Sequence, residues 1–168
     1  MGEMDSLQEP QAWAKRGRFI RIEEQQTTDF EKCLHATRAG VTVALGMTGR
    51  RFDHTLAALN AVAGHAAGRH IILVDECDIA LGVSGSLSFD IAQGARVSVH
   101  PLGRVSFAAS NGLEYPLDGL TLALGERGGT SNRAIAGRVS ITTARGEQSP
   151  WLLVIDAKYL WDLIAALA

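Results

Sequence analysis

The residue types that could do chemistry gather in one glycine-arginine loop and three aspartates. The loop reads Gly46-Met47-Thr48-Gly49-Arg50-Arg51-Phe52-Asp53-His54. Its two glycines follow an apolar run, where they let the backbone come close to a ligand, and it opens into a helix start whose free N–H groups suit an anion. Two arginines add forked phosphate donors. The pattern is neither GxGxxG nor a P-loop, because no Gly-Lys-Ser/Thr follows. On residue types alone it is either a phosphate-binding turn or a tight turn with solvated arginines. A carboxylate beside arginines also suits magnesium, which binds through few carboxylates together with substrate phosphates.

Asp5, Asp29 and Asp53 each fall near the C-terminal end of an expected strand, the place where open α/β sheets take their ligands. Asp5 sits in Gly2-Glu3-Met4-Asp5-Ser6, Asp29 follows the loop after Phe19-Ile20-Arg21-Ile22, and Asp53 closes the glycine-arginine loop. For Asp29 and Asp53 the plain alternative is a helix cap or first-turn acid. His54 could meet phosphate or give a proton, but reads first as a locally hydrogen-bonded residue at a helix start. His35, His65, His70 and His100 show no ligand spacing. Ser131-Asn132, within Gly128-Gly129-Thr130-Ser131-Asn132-Arg133, could read a polar ligand or simply turn the chain. Cys33 and Cys77 have no CxxC partner and read as two reduced, buried thiols.

These groups need a scaffold. Val41-Thr42-Val43-Ala44-Leu45 and Ile71-Ile72-Leu73-Val74 are apolar runs without alternation, as in parallel strands covered on both faces. Between them Leu56, Leu59, Val62 and Ala63 recur at helical spacing over residues 53–67. Upstream, Asp29 can cap a helix with Phe30, Cys33, Leu34 and Thr37 on one face and Gly40 at its end. With a short strand at Phe19-Ile20-Arg21-Ile22, the order predicts an α/β layer with a parallel sheet. After residue 84 the pattern becomes short alternating segments between glycine-bearing turns, such as 96–99, 104–107, 120–124 and 138–141, which predicts an antiparallel sandwich or barrel. A tail helix carries Ala157, Leu160, Trp161, Ile164 and Leu167 on one stripe. Two small domains result, 1–84 and 85–168.

Composition limits the class of function. Of 168 residues, 46% are hydrophobic and 20% charged, which fits a compact globular chain and excludes disordered and coiled-coil readings. Sixteen Lys+Arg against eighteen Asp+Glu leave a formal charge of -2, so there is no basic footprint for nucleic acid or a membrane surface. No apolar run approaches the about 18 residues of a membrane span, and the first residues are acidic where a signal peptide is basic, so the chain reads as cytoplasmic.

Five segments, taken in order and spacing, resemble the thiamine pyrophosphokinase family. They are Gly2-Glu3-Met4-Asp5-Ser6, Glu24-Gln25-Gln26-Thr27-Thr28-Asp29-Phe30-Glu31-Lys32, Gly49-Arg50-Arg51-Phe52-Asp53-His54-Thr55-Leu56-Ala57, Gly112-Leu113-Glu114-Tyr115-Pro116-Leu117 and Ser131-Asn132. The resemblance runs from about Gly2 to Ile155. It implies a Rossmann-like parallel-sheet catalytic domain followed by an antiparallel β-sandwich that holds thiamine. It implies an enzyme that moves pyrophosphate from ATP to the hydroxyl of thiamine, giving thiamine diphosphate and AMP, with Mg2+. It also implies a homodimer with the thiamine site between subunits.

Carried over residue by residue, the resemblance makes Asp5, Gln25, Asp29 and Asp53 the catalytic set. Glu3, Asp5 and Asp29 would hold the metal, with Glu3 one methylene longer than the family's aspartate. Ser6, Lys32, Gly49, Arg51 and His54 would meet the nucleotide and its phosphates, and Ser131 and Asn132 would face thiamine. Arg50 replaces the second glycine of the family's loop, and Ala58 replaces an asparagine of its helix. Arg133 and Ala134 stand where the family usually has an acid or threonine and then an aromatic over the thiamine ring. The aromatic surface is therefore expected from Trp151, or second from Trp161. The family has a strand-helix-strand unit before the Asp5 motif, so the sequence is expected to begin mid-domain. Two other functions fit the same residues: a pyrophosphokinase for another heterocyclic alcohol, such as a hydroxymethyl pterin, and a non-catalytic thiamine or nucleotide binder.

One consequence can be measured directly. Asp29→Asn should abolish AMP release while leaving circular dichroism and melting temperature near the parent's, because the charge serves magnesium and an amide still caps a helix. Magnesium-dependent turnover near the parent's would reduce Asp29 to a capping residue.

Overall fold

The computed structural model describes residue 22 and residues 24–49 and 51–167. These fall into two compact units, one up to Ala39 and one from Gly40 onward. Phe19, Ile20 and Arg21 of the expected strand at Phe19-Ile20-Arg21-Ile22 and the whole Asp5 motif lie outside the described residues.

In the first unit, helix α1 spans Asp29–Ala36. Its cap is Thr28 rather than Asp29. The Thr28 hydroxyl accepts from the Glu31 backbone N–H at 3.3 Å, and the Glu31 carboxylate accepts from the Thr28 N–H at 2.8 Å. This reciprocal pair satisfies two helix-end donors at once, which leaves Asp29 as a first-turn acid with no capping duty. The helix ends at Ala36, with Thr37 as its C-cap, before Gly40 is reached.

The second unit begins with β1 (Val41–Leu45), α2 (Phe52–His65) and β2 (His70–Val74). β1 and β2 lie side by side and parallel, with Val41 opposite His70 and Leu45 opposite Val74. The helix between them completes a βαβ crossover. From β3 (Asp78–Ser84) on, every pairing in the sheet is antiparallel, and after β1, β2 and β3 the order continues with β10 (Pro150–Asp156), β5 (Arg96–Pro101) and β8 (Gly129–Arg133). Among the described residues the expected parallel sheet is therefore a mixed one. Only three residues, Asp75 to Cys77, separate β2 from β3, which suffices for a hairpin and not for a crossover. The sheet takes strands from both sides of residue 84. β1 departs from expectation in a second way, since Val43 and Leu45 are exposed rather than covered.

The later strands are β4 (Leu87–Asp90), β5 (Arg96–Pro101), β6 (Val105–Asn111), β7 (Thr121–Leu122), β8 (Gly129–Arg133), β9 (Arg138–Thr143) and β10 (Pro150–Asp156). β4, β9, β6 and β7 form the second, antiparallel sheet. One apolar core lies between the two sheets, as the alternating second half predicts. Register aligns Ile79-Ile155-Val97 and Leu81-Leu153-Val99 across β3, β10 and β5, and all six side chains are buried in that core. Trp151 is fully buried there, edge-on to Phe107 at 5.7 Å, and its indole N–H donates to the Gly85 carbonyl at 3.0 Å.

The opposite face of β3 meets α2. A Cβ on Gly82 would lie 2.4 Å from Val62 Cγ1, so helix and strand touch more closely than any side chain permits. The buried face of α2 is Ala58, Ala61 and Val62, while Leu56 is half exposed. This face is rotated from the expected leucine stripe because small residues are what fit against Gly82. After a 3-10 turn at Ala157–Tyr159, helix α3 (Leu160–Leu167) buries Leu163 and packs beside β4. Trp161, expected on the buried stripe, points away and is 76% exposed. Cys77 is exposed and Cys33 half-buried, so neither thiol is the fully buried one expected.

Gly82→Ala should destabilise the second unit by about 1–3 kcal/mol, the range for overpacking a closed contact, since Val62 is buried and β-branched and has little room to turn. Urea unfolding followed by tryptophan fluorescence would measure it. A companion Val62→Ala change, which removes the obstructing methyl, should recover part of the loss.

Candidate functional site

The C-terminal ends of β1 and β2 open into a crevice lined by Gly46, Thr48, Gly49, Val74, Asp75 and Glu76. This is the position, beyond the carboxyl ends of parallel strands, where α/β sheets bind ligands. Gly46 and Gly49 both have left-handed backbones, with φ of 73° and 92°, so the loop needs glycine at those two points. The Thr55 hydroxyl donates to the Met47 carbonyl at 3.4 Å and so ties the loop back to the first turns of α2.

Arg51 stands at the N-cap of α2 and Asp53 in its first turn. The Arg51 guanidinium grips the Asp53 carboxylate with two donors, Nε at 3.1 Å and Nη2 at 2.5 Å. Asp53 Oδ1 also accepts from the His54 N–H at 2.9 Å. Both side chains are mostly exposed, yet the hydrogen bonds from Arg51 hold the Asp53 carboxyl below its ordinary range. Asp53 is thereby favoured as an anion, and its carboxylate braces the Arg51 guanidinium. Arg51 keeps further N–H donors for a phosphate oxygen. His54 is exposed beside them.

In the first unit, Gln25, Asp29 and Lys32 lie within one loop-helix segment. Glu24 shapes it: its carboxylate accepts from the Gln26 N–H at 2.7 Å and the Thr27 N–H at 3.2 Å, and also from the Thr27 hydroxyl. The Thr27 hydroxyl is the main cause that lowers the Glu24 pKa. Asp29 is exposed, whereas Lys32 is 4% exposed, with its ammonium 3.8 Å from Asp29 Oδ1. Glu3, Asp5 and Ser6 lie outside the described residues. Among the described residues no three acidic, histidine or cysteine side chains gather as a metal site would require.

Ser131 and Asn132 lie in β8, not in a turn, and the strand is irregular there. Its pairing with β5 shifts between Val97 and Val99, and Ser131 takes a left-handed φ of 60°, rare for a residue with a side chain. The Ser131 N–H donates to the hydroxyl of Ser98 at 2.9 Å. Asn132 is 6% exposed and its amide is engaged inside the protein. Oδ1 accepts from the Tyr115 N–H at 3.0 Å and the Arg133 N–H at 2.8 Å, while Nδ2 donates to the Tyr115 carbonyl at 2.6 Å. The segments Gly112-Leu113-Glu114-Tyr115-Pro116-Leu117 and Ser131-Asn132 are thus one physical unit, with Leu113 and Leu117 buried in the core.

The two tryptophans expected to cover a ring do not combine a free face with a place near this strand. Trp151 is enclosed between the sheets, and Trp161 is exposed on α3. Sequence reasoning missed Asp75 and Glu76. The signal was present, because Asp75 directly follows the apolar run of β2 and meets the same strand-end criterion that singled out the other acids.

No described helix is long and apolar enough to cross a membrane. A search of curated proteins found no match. The chain resembles several solved structures in fold. Thiamine pyrophosphokinase from Bacillus subtilis superposes with a TM-score of 0.73 at 19% identity, over 92% of this chain and 76% of that one. The enzyme from Geobacillus thermodenitrificans gives 0.73 at 20% identity, over 92% and 75%. The yeast enzyme gives 0.69 at 16% identity, over 96% and 70%. Family models match both halves in sequence: "Thiamin pyrophosphokinase, catalytic domain" over residues 1–73 and "Thiamin pyrophosphokinase, vitamin B1 binding domain" over residues 86–146. With a catalytic and a vitamin-binding segment of one enzyme matched in order along a chain that shares the enzyme's fold, this protein belongs to the thiamin pyrophosphokinase family of enzymes.

Proposed function

We propose that this chain transfers the terminal pyrophosphoryl group of ATP to the primary hydroxyl of thiamine, acting in the cytoplasm as a homodimer. The thiamine oxygen attacks the β-phosphorus of ATP, the bond from that phosphorus to the oxygen bridging to the α-phosphate breaks, and AMP leaves. The hydroxyl proton passes to a carboxylate, either Asp29 or Asp5. Residues 1–84 would carry the nucleotide and the chemistry, and residues 85–168 thiamine. The observation that carries this reading is the crevice after β1 and β2, lined by the left-handed Gly46 and Gly49 of a loop that leads into the braced Arg51, all three within the segment matched by the catalytic family model.

Such a transfer depends on positioning and charge neutralisation more than on covalent help from the protein. Gly46 and Gly49 let the phosphates approach the backbone, and Arg51, aimed by Asp53, offers paired donors to them. On the family resemblance, Lys32 and His54 would each meet phosphate, and Gln25 would orient the reacting groups. Mg2+ would be held by Glu3, Asp5 and Asp29. Asp29 offers the hard carboxylate oxygen that this ion prefers, and a bound ion would spread the phosphate charge.

The decisive measurement is AMP release from ATP with magnesium and, in separate reactions, thiamine or a hydroxymethyl pterin. Thiamine-dependent AMP is expected. Pterin-dependent AMP alone would reassign the substrate, and no AMP with either would make the chain a binder. Arg51→Gln should raise the ATP KM and lower kcat, together about 100-fold or more in kcat/KM, the scale for removing one donor aimed at developing charge. The same change should let the Asp53 pKa rise toward its ordinary value, read by NMR titration of its carboxyl carbon. In the parent, the pair's contribution to stability is present above the ordinary aspartate range and is lost as pH falls through the lowered Asp53 value. An unchanged Asp53 titration in Arg51→Gln would show that the pair does not form in solution.

A further inference from the structure

The two walls of the crevice after β1 and β2 differ in what they can bind. One is the loop through Gly46, Thr48 and Gly49, where the left-handed glycines put no side chain between backbone and ligand, and which leads into Arg51 at the start of α2. The other is the end of β2, which brings the carboxylates of Asp75 and Glu76. The space between them is about 490 Å3, within the range of small-molecule sites. An ionised carboxylate only accepts hydrogen bonds, and it repels phosphate. The β2 wall is therefore unsuited to a phosphate chain and suits a neutral group that donates.

Asp75 is held ready for such a donor. Its N–H donates to the Asp78 carbonyl at 2.8 Å and closes the β2–β3 turn, while its Oδ1 accepts from the Glu76 N–H at 2.8 Å. These bonds fix the exposed carboxylate, and the turn occupies Oδ1 alone. The nearby Arg96 is spent on Asp78 and Asp156.

Topology says which donor fits. β1, α2 and β2 form one parallel crossover. In doubly wound sheets the phosphates lie at the turn after the first strand of such a unit, and an acid at the end of the second accepts from the ribose. Adjacent strands lie about 4.8 Å apart, so a group one sugar removed from the phosphates falls at the β2 end. On ATP that group is the pair of vicinal ribose hydroxyls, which are neutral and donate.

We propose that Asp75 accepts hydrogen bonds from the 2′ and 3′ hydroxyls of the nucleotide and so makes the chain select ribonucleotides over deoxyribonucleotides. The proposal rests on the placement of ATP in the reading above. It deepens that reading by assigning the sugar end of the nucleotide and a source of specificity to the acid at the end of β2.

The test is calorimetry on the full chain with magnesium and no thiamine, so that binding is read apart from turnover. The ligands are ATP, 2′-deoxy-ATP, 3′-deoxy-ATP and inosine triphosphate, which keeps the ribose and lacks the base's amine. The parent should bind ATP about 10-fold or more tighter than either deoxynucleotide, the scale for a hydrogen bond to a charged acceptor. Asp75→Ala should bring the three to within about twofold of one another, while the ratio of ATP to inosine triphosphate stays at the parent's value. Asp75→Asn keeps one neutral acceptor and should retain a smaller preference for ribose. Melting temperatures near the parent's would show that both variants fold. Equal binding of ATP and the deoxynucleotides by the parent, or a ribose preference that survives in Asp75→Ala, would overturn the proposal and leave the nucleotide site standing. A change confined to the ATP to inosine triphosphate ratio would overturn it too, by giving Asp75 to the base. If the parent binds no nucleotide, the proposal falls together with the placement of ATP.

Discussion

A sheet covered by a helix on one face and by a second sheet on the other must be apolar on both sides, and it must offer each layer a surface of the right relief. β3 and β10 meet this constraint, and much of the second unit follows from it. Toward the second sheet they present Ile79, Leu81, Val83, Trp151, Leu153 and Ile155, large side chains that fill the space between two sheets. Toward α2, β3 presents Gly82, where any Cβ would strike Val62. The helix can then come close only by presenting alanines and one valine. Its approach fixes where its first turn lies, and with it Arg51, Asp53 and the rim of the crevice after β1. Core packing and site geometry are in this sense one problem.

The same antiparallel register creates an electrostatic difficulty near the crevice and resolves it. Asp156 at the end of β10 is paired directly with Asp78 at the start of β3, and like charges opposite one another destabilise a sheet. Arg96, from the neighbouring β5, donates to both carboxylates, reaching Asp156 at 2.9 Å. Hydrogen bonding to Asp78 is the main cause that raises the Arg96 pKa. This bridge sits beside the β2–β3 turn, where the Asp75 N–H donates to the Asp78 carbonyl at 2.8 Å and the Ala157 N–H to the Cys77 carbonyl at 2.9 Å. The turn that carries Asp75 and Glu76 to the crevice is thereby anchored from three strands. A site built on an anchored turn holds its geometry better than one on a free loop.

Two pairings in the second unit use one residue to set another. Asp53 orients Arg51 through a forked ion pair, and Asn132 orients Tyr115 through a clamped backbone. In both, the residue that looks most reactive or most polar in the sequence is spent on positioning. The exposed partner is then held in place at the surface. Ordering the partner beforehand lowers the entropy that binding must overcome.

Much of the scaffold was legible in the residues themselves. The apolar runs at 41–45 and 71–74, the helix between them, and the alternating segments after residue 84 follow from period and composition, and folding did not move them. The glycine-arginine loop declared itself in the same way, because glycine takes the left-handed backbone of positions 46 and 49 without the strain a side chain would add. What the sequence could not state was direction and partner. An unbroken apolar run is the same in parallel and antiparallel strands, so the turn of β2 into β3 and the mixed sheet emerged only with the fold. Hydrophobic period likewise says which residues can be buried, not against what. Leu56 and Trp161 are therefore exposed while Ala58 and Leu163 are buried, and Trp151 lies in the core instead of at a site. Asn132 shows the limit best. Its type and place beside Ser131 marked it as polar and important, but its use depends on a loop 17 residues away meeting β8 in a register that only tertiary packing sets.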